Sequence, residues 1–272
     1  VALVTDWLKL FQEAAAEIRR EAQPLFGSAK AKERQGRGAG GDVTRFVDAL
    51  AESIVLRTLI DNNIPCILVS EESGTQQVHG GGDDYVVLDA IDGTTNALRR
   101  VPLSATSIAH ASGPMLEDVD VGFIMELNSG ATYKAQKGRG AYEEERPPTP
   151  STIPSLEEAI VSVELTYRRD FHGLIQRLIP IMARTSKLRQ LGSTALETAY
   201  VASGVLDAFI DLRGLTRAVD LAAATLIVRE AGAFIVGPDG EDLDMELRAD
   251  ERTSFVAAGN RHLLEEIMSL IT

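Results

Sequence analysis

Apolar residues recur at Trp7, Phe11, Ala14 and Ile18, the i, i+4, i+7, i+11 rhythm of one helix face, and predict a helix over 5–23. Thr5 is the expected N-cap, and Pro24 and Gly27 close the run. The segment "GRGAGGD" (36–42) is too rich in glycine to hold a helix or a strand. A second amphipathic helix is predicted over 45–62, with Val47, Leu50, Ala51, Ile54 and Leu59 on one side. "CILVS" (66–70) reads as a short buried strand that runs into Glu71 and Glu72, and "YVVL" (85–88) as another that ends at Asp89. Residues 103–136 alternate and turn like antiparallel strands, with "NSG" (128–130) as a hairpin between "VDVGFIME" and "ATYKAQ".

The stretch "ERPPTPSTIP" (145–154) holds four prolines and marks the expected domain boundary. Beyond it strand-like runs alternate with helical ones. Strands are predicted at 159–164, 187–192, 207–212, 233–236 and 254–260, and helices near 171–184, 193–203 and 220–231 and at the C-terminal end. That alternation predicts helices covering a mixed or parallel sheet. The expected fold is an α/β (α+β) layered sandwich in two parts, an α+β domain over 1–148 and an α/β domain over 149–272, with the site between them.

Composition narrows the partners. The 272 residues are 44% hydrophobic, enough for a sizeable core. A net charge of −13 argues against nucleic acid and anionic membranes as partners. An anionic substrate then needs local positive groups or a metal. The single cysteine, Cys66, excludes an intrachain disulfide and fits a reducing, cytoplasmic interior. His79, His110, His172 and His262 lack zinc-ligand spacing. No apolar run approaches the roughly 20 residues of a membrane span. Asp6, Lys9 and Glu13 make the first twenty residues unlike a signal peptide.

Acids gather where strands end or helices begin: Glu71 with Glu72, Asp89 with Asp92, and Asp220, while Asp48 lies in the second predicted helix. Each has an ordinary reading. Asp220 can cap the helix that follows, Glu71 and Glu72 can be loop charges, Asp48 a solvated helix residue, and Asp89 with Asp92 an Asx-turn. Taken together they fit a shared site better, since α/β proteins place sites at strand ends. Converging carboxylates repel by about 4 kcal/mol per pair at 4 Å and an effective dielectric near 20. A hard divalent cation removes that cost, and an all-oxygen donor set selects Mg2+ first, then Mn2+ or Ca2+. Gly93, Thr94, Thr95 and Asn96 follow directly, with glycine allowing close backbone approach and a helix start offering N–H groups to an anion. A metal beside an anion cradle is the pattern of a phosphate site.

These residues resemble the inositol monophosphatase family, within the superfamily that includes fructose-1,6-bisphosphatases. The family's central motif, D-P-I-D-G-S/T, corresponds to Asp89-Ala90-Ile91-Asp92-Gly93-Thr94. Its upstream E-E-x-G corresponds to Glu71-Glu72-Ser73-Gly74, and its downstream W/V-D-x-A/S to Val219-Asp220-Leu221-Ala222. Ala90 replaces the usual proline and loses its fixed φ, but no side-chain ligand goes with it. The form "RAVD" looks most like the archaeal branch, whose members hydrolyse both inositol phosphate and fructose 1,6-bisphosphate. The resemblance implies a cytoplasmic, homodimeric, Mg2+-dependent phosphatase with two or three ions, Mn2+ being able to substitute. Its substrate is a small phosphorylated polyol or sugar, attacked by a metal-activated water. The resemblance gives Glu71, Asp89, the Ile91 carbonyl, Asp92 and Asp220 as metal ligands. Asp48, Glu71 and Thr94 form the catalytic set, and the Gly93 and Thr94 backbone holds the phosphate.

Gly192 and Ser193 resemble a family segment beside the substrate, and Asp211 and Arg213 lie where the family contacts the polyol. Arg213 can equally pair with Asp211, and Arg168 and Arg169 are rim candidates for a second phosphate. The glycine-rich 36–42 segment lies where the family has a mobile catalytic loop, or is a plain linker. Two rivals remain: a phosphatase of 3′-phosphoadenosine 5′-phosphate, and a non-catalytic phosphosugar-binding or regulatory protein.

Overall fold

The computed structural model describes residues 5–39, 41, 43–166 and 170–271. Helices α1 (Trp7–Ala22) and α2 (Phe46–Asp61) lie side by side on one face of the first sheet. Asp6 caps α1, accepting from the Lys9 N–H at 3.2 Å, in the place expected for Thr5. The carboxylate one residue on reaches the first turn, which a β-branched hydroxyl was expected to do.

The first sheet has seven strands: β1 (Cys66–Ser70), β2 (Gly74–Val78), β3 (Tyr85–Asp92), β4 (Ala105–Ala111), β5 (Val119–Glu126), β6 (Thr132–Gln136) and β7 (Ala141–Glu143). Their order is β2-β1-β3-β4-β5-β6-β7, antiparallel except for the parallel pair β1 and β3. The pattern of "GTQQV" hid β2, because an edge strand with exposed Thr75 and Gln77 needs little apolar alternation. Strand β3 runs four residues past its predicted end, so Asp89 sits inside the strand and Asp92 closes it. The register with β4 shifts between those two aspartates.

Strand β8 (Ile160–Val163), helix α3 (Thr94–Arg99, between β3 and β4), helix α4 (Phe171–Arg184), β9 (Lys187–Arg189), helix α5 (Thr194–Ser203), β10 (Ala208–Arg217), helix α6 (Ala218–Glu230), β11 (Phe234–Val236), β12 (Arg252–Ala258) and helix α7 (Arg261–Ile271) complete the described elements. The second sheet is mixed, in the order β11-β12-β10-β8-β9, with β8 parallel to both neighbours.

Helix character decides the layers. α4 and α7 bury one stripe each, Leu174, Leu178 and Ile181 and then Leu263, Leu264 and Ile267, and cover the outer face of the second sheet. α5 and α6 are buried all round, from Ala195 to Ala202 and from Ala218 to Val228. A helix apolar on every side belongs in the middle of a core. These two fill the space between the sheets, giving five layers, αβαβα. The close approach is built from small residues. A Cβ on Gly122 of β5 would lie 2.8 Å from the Ala223 carbonyl oxygen, so α6 rests almost on the sheet backbone. That contact sets the start of α6, and with it Asp220, against the end of β3. Each sheet falls on its own side of residues 145–154, while α5 and α6 pack on both. Among the described residues no helix is long and apolar enough to cross a membrane.

Candidate active site

Three buried carboxylates, Asp89 in the middle of β3, Asp92 at its end and Asp220 in the first turn of α6, each offer an oxygen within 4.8 Å of the others. Opposite ligands around Mg2+ stand about 4.2 Å apart, so the group needs little adjustment to close on a hard cation. Asp89 Oδ2 is buried with no hydrogen-bond partner. Such an oxygen is costly unless something positive meets it. Burial, with Glu71 and Asp92 adding, pushes the Asp89 carboxyl well above the usual range. Burial also raises Asp220, but the Arg217 guanidinium and its hydrogen bonds outweigh it and leave that carboxyl lowered. Without a metal, protonation is therefore favoured at Asp89 and disfavoured at Asp220.

Asp92 is held differently. Its Oδ2 accepts from Ser193 Oγ at 2.6 Å, Ala195 N at 2.8 Å and Leu196 N at 3.3 Å, and its Oδ1 from Thr194 N at 3.0 Å. The aspartate that ends β3 is thus the cap of α5, from across residues 145–154. Burial first, then the charge of Asp220, pushes its carboxyl up to about 7.

Asp48 occupies the third position of α2, buried and not solvated, and accepts from the Arg45 N–H at 3.1 Å. Asp220 repeats this in α6 with the Arg217 N–H at 2.9 Å, so part of the capping expectation for Asp220 holds. Thr94 Oγ1 lies 3.2 Å from Asp48 Oδ1 and 3.0 Å from the Ile91 carbonyl oxygen. Burial, then the charge of Glu72, pushes Asp48 up to about 7. Glu72 is likewise pushed up to about 7, by burial first, and accepts from the Thr44 hydroxyl. Glu71 pairs with Arg217, which links it to Asp220, and lies outside the group of three mutually close aspartates.

Gly93 turns the chain from β3 into α3 with φ +80°. A Cβ there would sit 2.9 Å from the Leu103 carbonyl oxygen and 3.1 Å from that of Gly192. We expect Gly93→Ala to cost roughly 2 kcal/mol or more, from strain plus contact, and to lower phosphate release at least tenfold. Thermal melting and an activity assay check both; an unaltered melt shows that the turn can relax.

The segment of Gly192 and Ser193 is brought to this turn by residues that sequence reading passed over. Glu197, buried in α5, accepts from the backbone N–H groups of Gly192 at 2.8 Å and Ser193 at 3.2 Å. The Asn96 amide reaches the carbonyls of Leu103 at 2.8 Å and Leu191 at 2.7 Å. A lone acid in the apolar run "TALETAYVA" was the available signal for Glu197. Arg217 was visible as the first residue of "RAVD", three before Asp220, but was given no role in the site.

The glycine-rich segment touches the site. The Ala39 N–H donates to the Glu72 carbonyl at 3.0 Å, and a Cβ on Gly38 would meet Glu72 Oε2 at 2.8 Å. Gly40 and Asp42 of that segment lie outside the described residues, as do Arg168 and Arg169. Asp211 is fully buried and bound by Arg213, through Nε at 2.9 Å and Nη2 at 2.6 Å, while Arg213 Nη1 reaches the Thr166 carbonyl at 3.0 Å.

The sequence pattern of the inositol monophosphatase family matches residues 4–272. The chain belongs to the inositol monophosphatase family. Its enzymes are metal-dependent phosphatases, and the three-aspartate cluster suits that chemistry. The chain is 36% identical to the fructose-1,6-bisphosphatase/inositol-1-monophosphatase of Methanothermobacter thermautotrophicus, over 97% of this chain and 96% of that protein. It is 29% identical to the bifunctional NADP phosphatase/NAD kinase of Methanococcus maripaludis, over 93% of this chain but 47% of that protein. The crystal structure of an inositol monophosphatase-fructose 1,6 bisphosphatase superposes with a TM-score of 0.86 at 29% identity, covering 98% of this chain and all of that one. The layered fold is that of the inositol monophosphatase family.

Proposed function

We propose that the protein is a magnesium-dependent phosphate-monoester hydrolase acting on inositol 1-phosphate and fructose 1,6-bisphosphate. The observation that carries this reading is Asp89 Oδ2, buried without a hydrogen bond in a cluster of three aspartates. Its placement in a phosphatase family supports the reaction, and the names of its archaeal relatives support the substrates. When bound, two or three Mg2+ ions, or Mn2+ in their place, neutralise the acids and the phosphate oxygens and acidify water.

Glu71, Asp89, the Ile91 carbonyl, Asp92 and Asp220 are the holding set, drawn from both sides of the boundary near 148. Asp48 and Thr94 orient the attacking water, whose proton would pass to Asp48 as the Thr94 hydroxyl hands on its own. An acid pushed up to about 7 suits a base working near neutrality, and the Thr94 hydroxyl already lies 3.2 Å from it. Glu71, beside Glu72 and the Gly38 backbone, completes the catalytic set. The Gly93 and Thr94 backbone holds the phosphate, and the Gly192–Ser193 turn lies beside the substrate. A homodimer and a cytoplasmic location complete the reading, on family likeness alone.

Phosphate release from inositol 1-phosphate and fructose 1,6-bisphosphate, with Mg2+ and in excess EDTA, tests the proposal. Turnover of both that stops in EDTA is the expected result. Unchanged release in EDTA ends the metal reading, and no release with any substrate leaves the binding-protein rival. Including 3′-phosphoadenosine 5′-phosphate and NADP in the panel tests a phosphonucleotide reading, which the likeness to an NADP phosphatase favours.

Asp211 and Arg213 form the far wall as a locked pair. Three of the five guanidinium N–H groups are committed to Asp211 and Thr166, so the pair acts through shape more than through reading a second phosphate. Arg213→Ala should raise KM for the two substrates alike and lower the melting temperature, because Asp211 is left buried and unpaired. A selective rise of tenfold or more for the bisphosphate would restore Arg213 as a phosphate ligand.

A further inference from the structure

Strand β4 turns small side chains toward α6: Ala105, Ser107, Ala109 and Ala111 alternate onto that face. The three alanines are fully buried in the core between the sheets. Small residues suit this layer, because α6 rests almost on the sheet backbone at Gly122. Ser107 is as buried as its neighbours, at 1% exposed, but its hydroxyl has no hydrogen-bond partner. Alanine would fill the same space and leave nothing unpaired. A buried polar group without a bond costs about 1–3 kcal/mol, so size alone does not account for a serine here.

What sets position 107 apart is its neighbour. β3 and β4 pair antiparallel, with Asp89 directly opposite Ser107. Val87 and Asp89 share the face of β3 that meets α6, so the serine and the aspartate enter the same layer. Asp89 Oδ2 also accepts no hydrogen bond and only faces Arg217, at 3.6 Å. Two buried oxygens without bonds thus lie on adjacent strands, and the hydroxyl can donate to the carboxylate. Directly opposed residues have Cβ atoms about 4.5–5.5 Å apart. Rotation of the serine about χ1 is enough to close that span to a hydrogen bond. No other side chain that β4 turns to this face carries a donor.

The other two aspartates of the cluster are already fixed. Four donors hold Asp92 and three hold Asp220. Asp89 Oδ2 has none, so the orientation of this one carboxylate is left open. We propose that Ser107 is the positioning residue for Asp89: its hydroxyl turns to the carboxylate when a cation occupies the cluster and fixes which lone pairs point inward. A hydroxyl bonds an ionised oxygen roughly twice as strongly as a neutral one, which favours the turn in the occupied site. Ser107 itself touches neither substrate nor ion. This rests on the metal reading above and goes beyond it in naming the group that orients Asp89.

The test uses Mn2+ as the probe, with calorimetry for its affinity, electron paramagnetic resonance for its surroundings, and melting in EDTA. Partners that orient a ligating group are worth about 10–100-fold in metal affinity. Ser107→Ala should therefore weaken the tightest Mn2+ at least tenfold and alter its spectrum. In EDTA it should melt no lower than the parent, because there it only removes an unpaired hydroxyl. A serine needed for packing alone would give the reverse, a lower melt and an unaltered spectrum. Ser107→Cys keeps the size with a much weaker donor and should follow the alanine variant. Mn2+ affinity of Ser107→Ala within twofold of the parent overturns the proposal. So does parent affinity in Ser107→Cys, because the hydroxyl's bond is then not what matters. A weakened Mn2+ that comes with a melt in EDTA lowered by about 5 °C or more also overturns it, since general loosening then explains the loss. A parent that binds no Mn2+ at all is a different result and removes the metal reading itself.

Discussion

Asp89→Asn should lose at least about 100-fold of its phosphate release and yet melt higher than the parent in EDTA. The loss follows from removing a negative ligand at the point where the transferring phosphate's charge must be met. The gain follows from Asp89 Oδ2, which is buried and has no partner. An amide there is neutral without a proton, whereas the parent carboxyl is either charged beside Glu71, Asp92 and Asp220 or must take up a proton as the chain folds. The expected stabilisation is about 1–3 kcal/mol, the usual scale for a buried polar group left unsatisfied. Its pH dependence has a definite sign. Burial raises the Asp89 carboxyl, so the folded metal-free protein binds this proton more tightly than the unfolded chain does. Such a group loses stability as pH rises above the ordinary aspartate value of about 4. The asparagine variant has no such loss, so its lead in EDTA should widen from pH 4 toward 7. Saturating Mg2+ should reverse the order, since the parent gains a ligand-bound cation and the variant gains less. Melting scans at three pH values, with EDTA and with Mg2+, check all of this. A variant that melts below the parent in EDTA means Asp89 Oδ2 is satisfied by something other than a metal.

Much of the fold could be read from periodicity, and the failures have local causes. The helix of 171–184 and the strand of 66–70 fall where the pattern put them, because each has one apolar side or two buried faces. The edge strand β2 left no pattern, since half its side chains face solvent. The middle layer was harder. α5 and α6 are apolar all round, which sequence reading took as helices on a sheet, where their burial on every side puts them between two sheets. The acids of the site were visible as types and spacings. Their different states were not. Asp89 Oδ2 accepts no hydrogen bond and only faces Arg217, at 3.6 Å, Asp92 caps a helix about a hundred residues away in sequence, and Asp220 is bound by Arg217. Those differences come from tertiary contacts that no local window contains. Arg213 shows the same limit, because only the fold reveals that Asp211 engages it on two nitrogens.

Asp92→Asn, the same isosteric change three residues along the chain, should also abolish turnover but destabilise the protein. Four donors converge on Asp92, one hydroxyl and three backbone N–H groups at the start of α5. An amide has one accepting oxygen. Whichever way it is turned, its NH2 faces a donor, Thr194 N in one orientation and Ser193, Ala195 and Leu196 in the other. The raised carboxyl of Asp92, up to about 7 from burial and the charge of Asp220, points the other way, since it says that losing the charge is favourable. The two do not conflict. A protonated acid keeps an accepting lone pair on both oxygens, so it can still take all four bonds, and an amide cannot. The helix start adds its own preference for negative charge, about 0.3–1 kcal/mol. The donor clash and the lost bond outweigh the relief of repulsion, for a net cost of about 2–3 kcal/mol. For a chain of this size that is roughly 4–12 °C in melting temperature. Because the bonds bridge β3 to α5, the loss should appear in EDTA as well as in Mg2+. The comparison with Asp89→Asn is the decisive measurement. Equal activity losses with opposite shifts of the melt in EDTA are expected, and two shifts of the same sign would mean that metal-free stability is set by total charge and not by which oxygens are already bound.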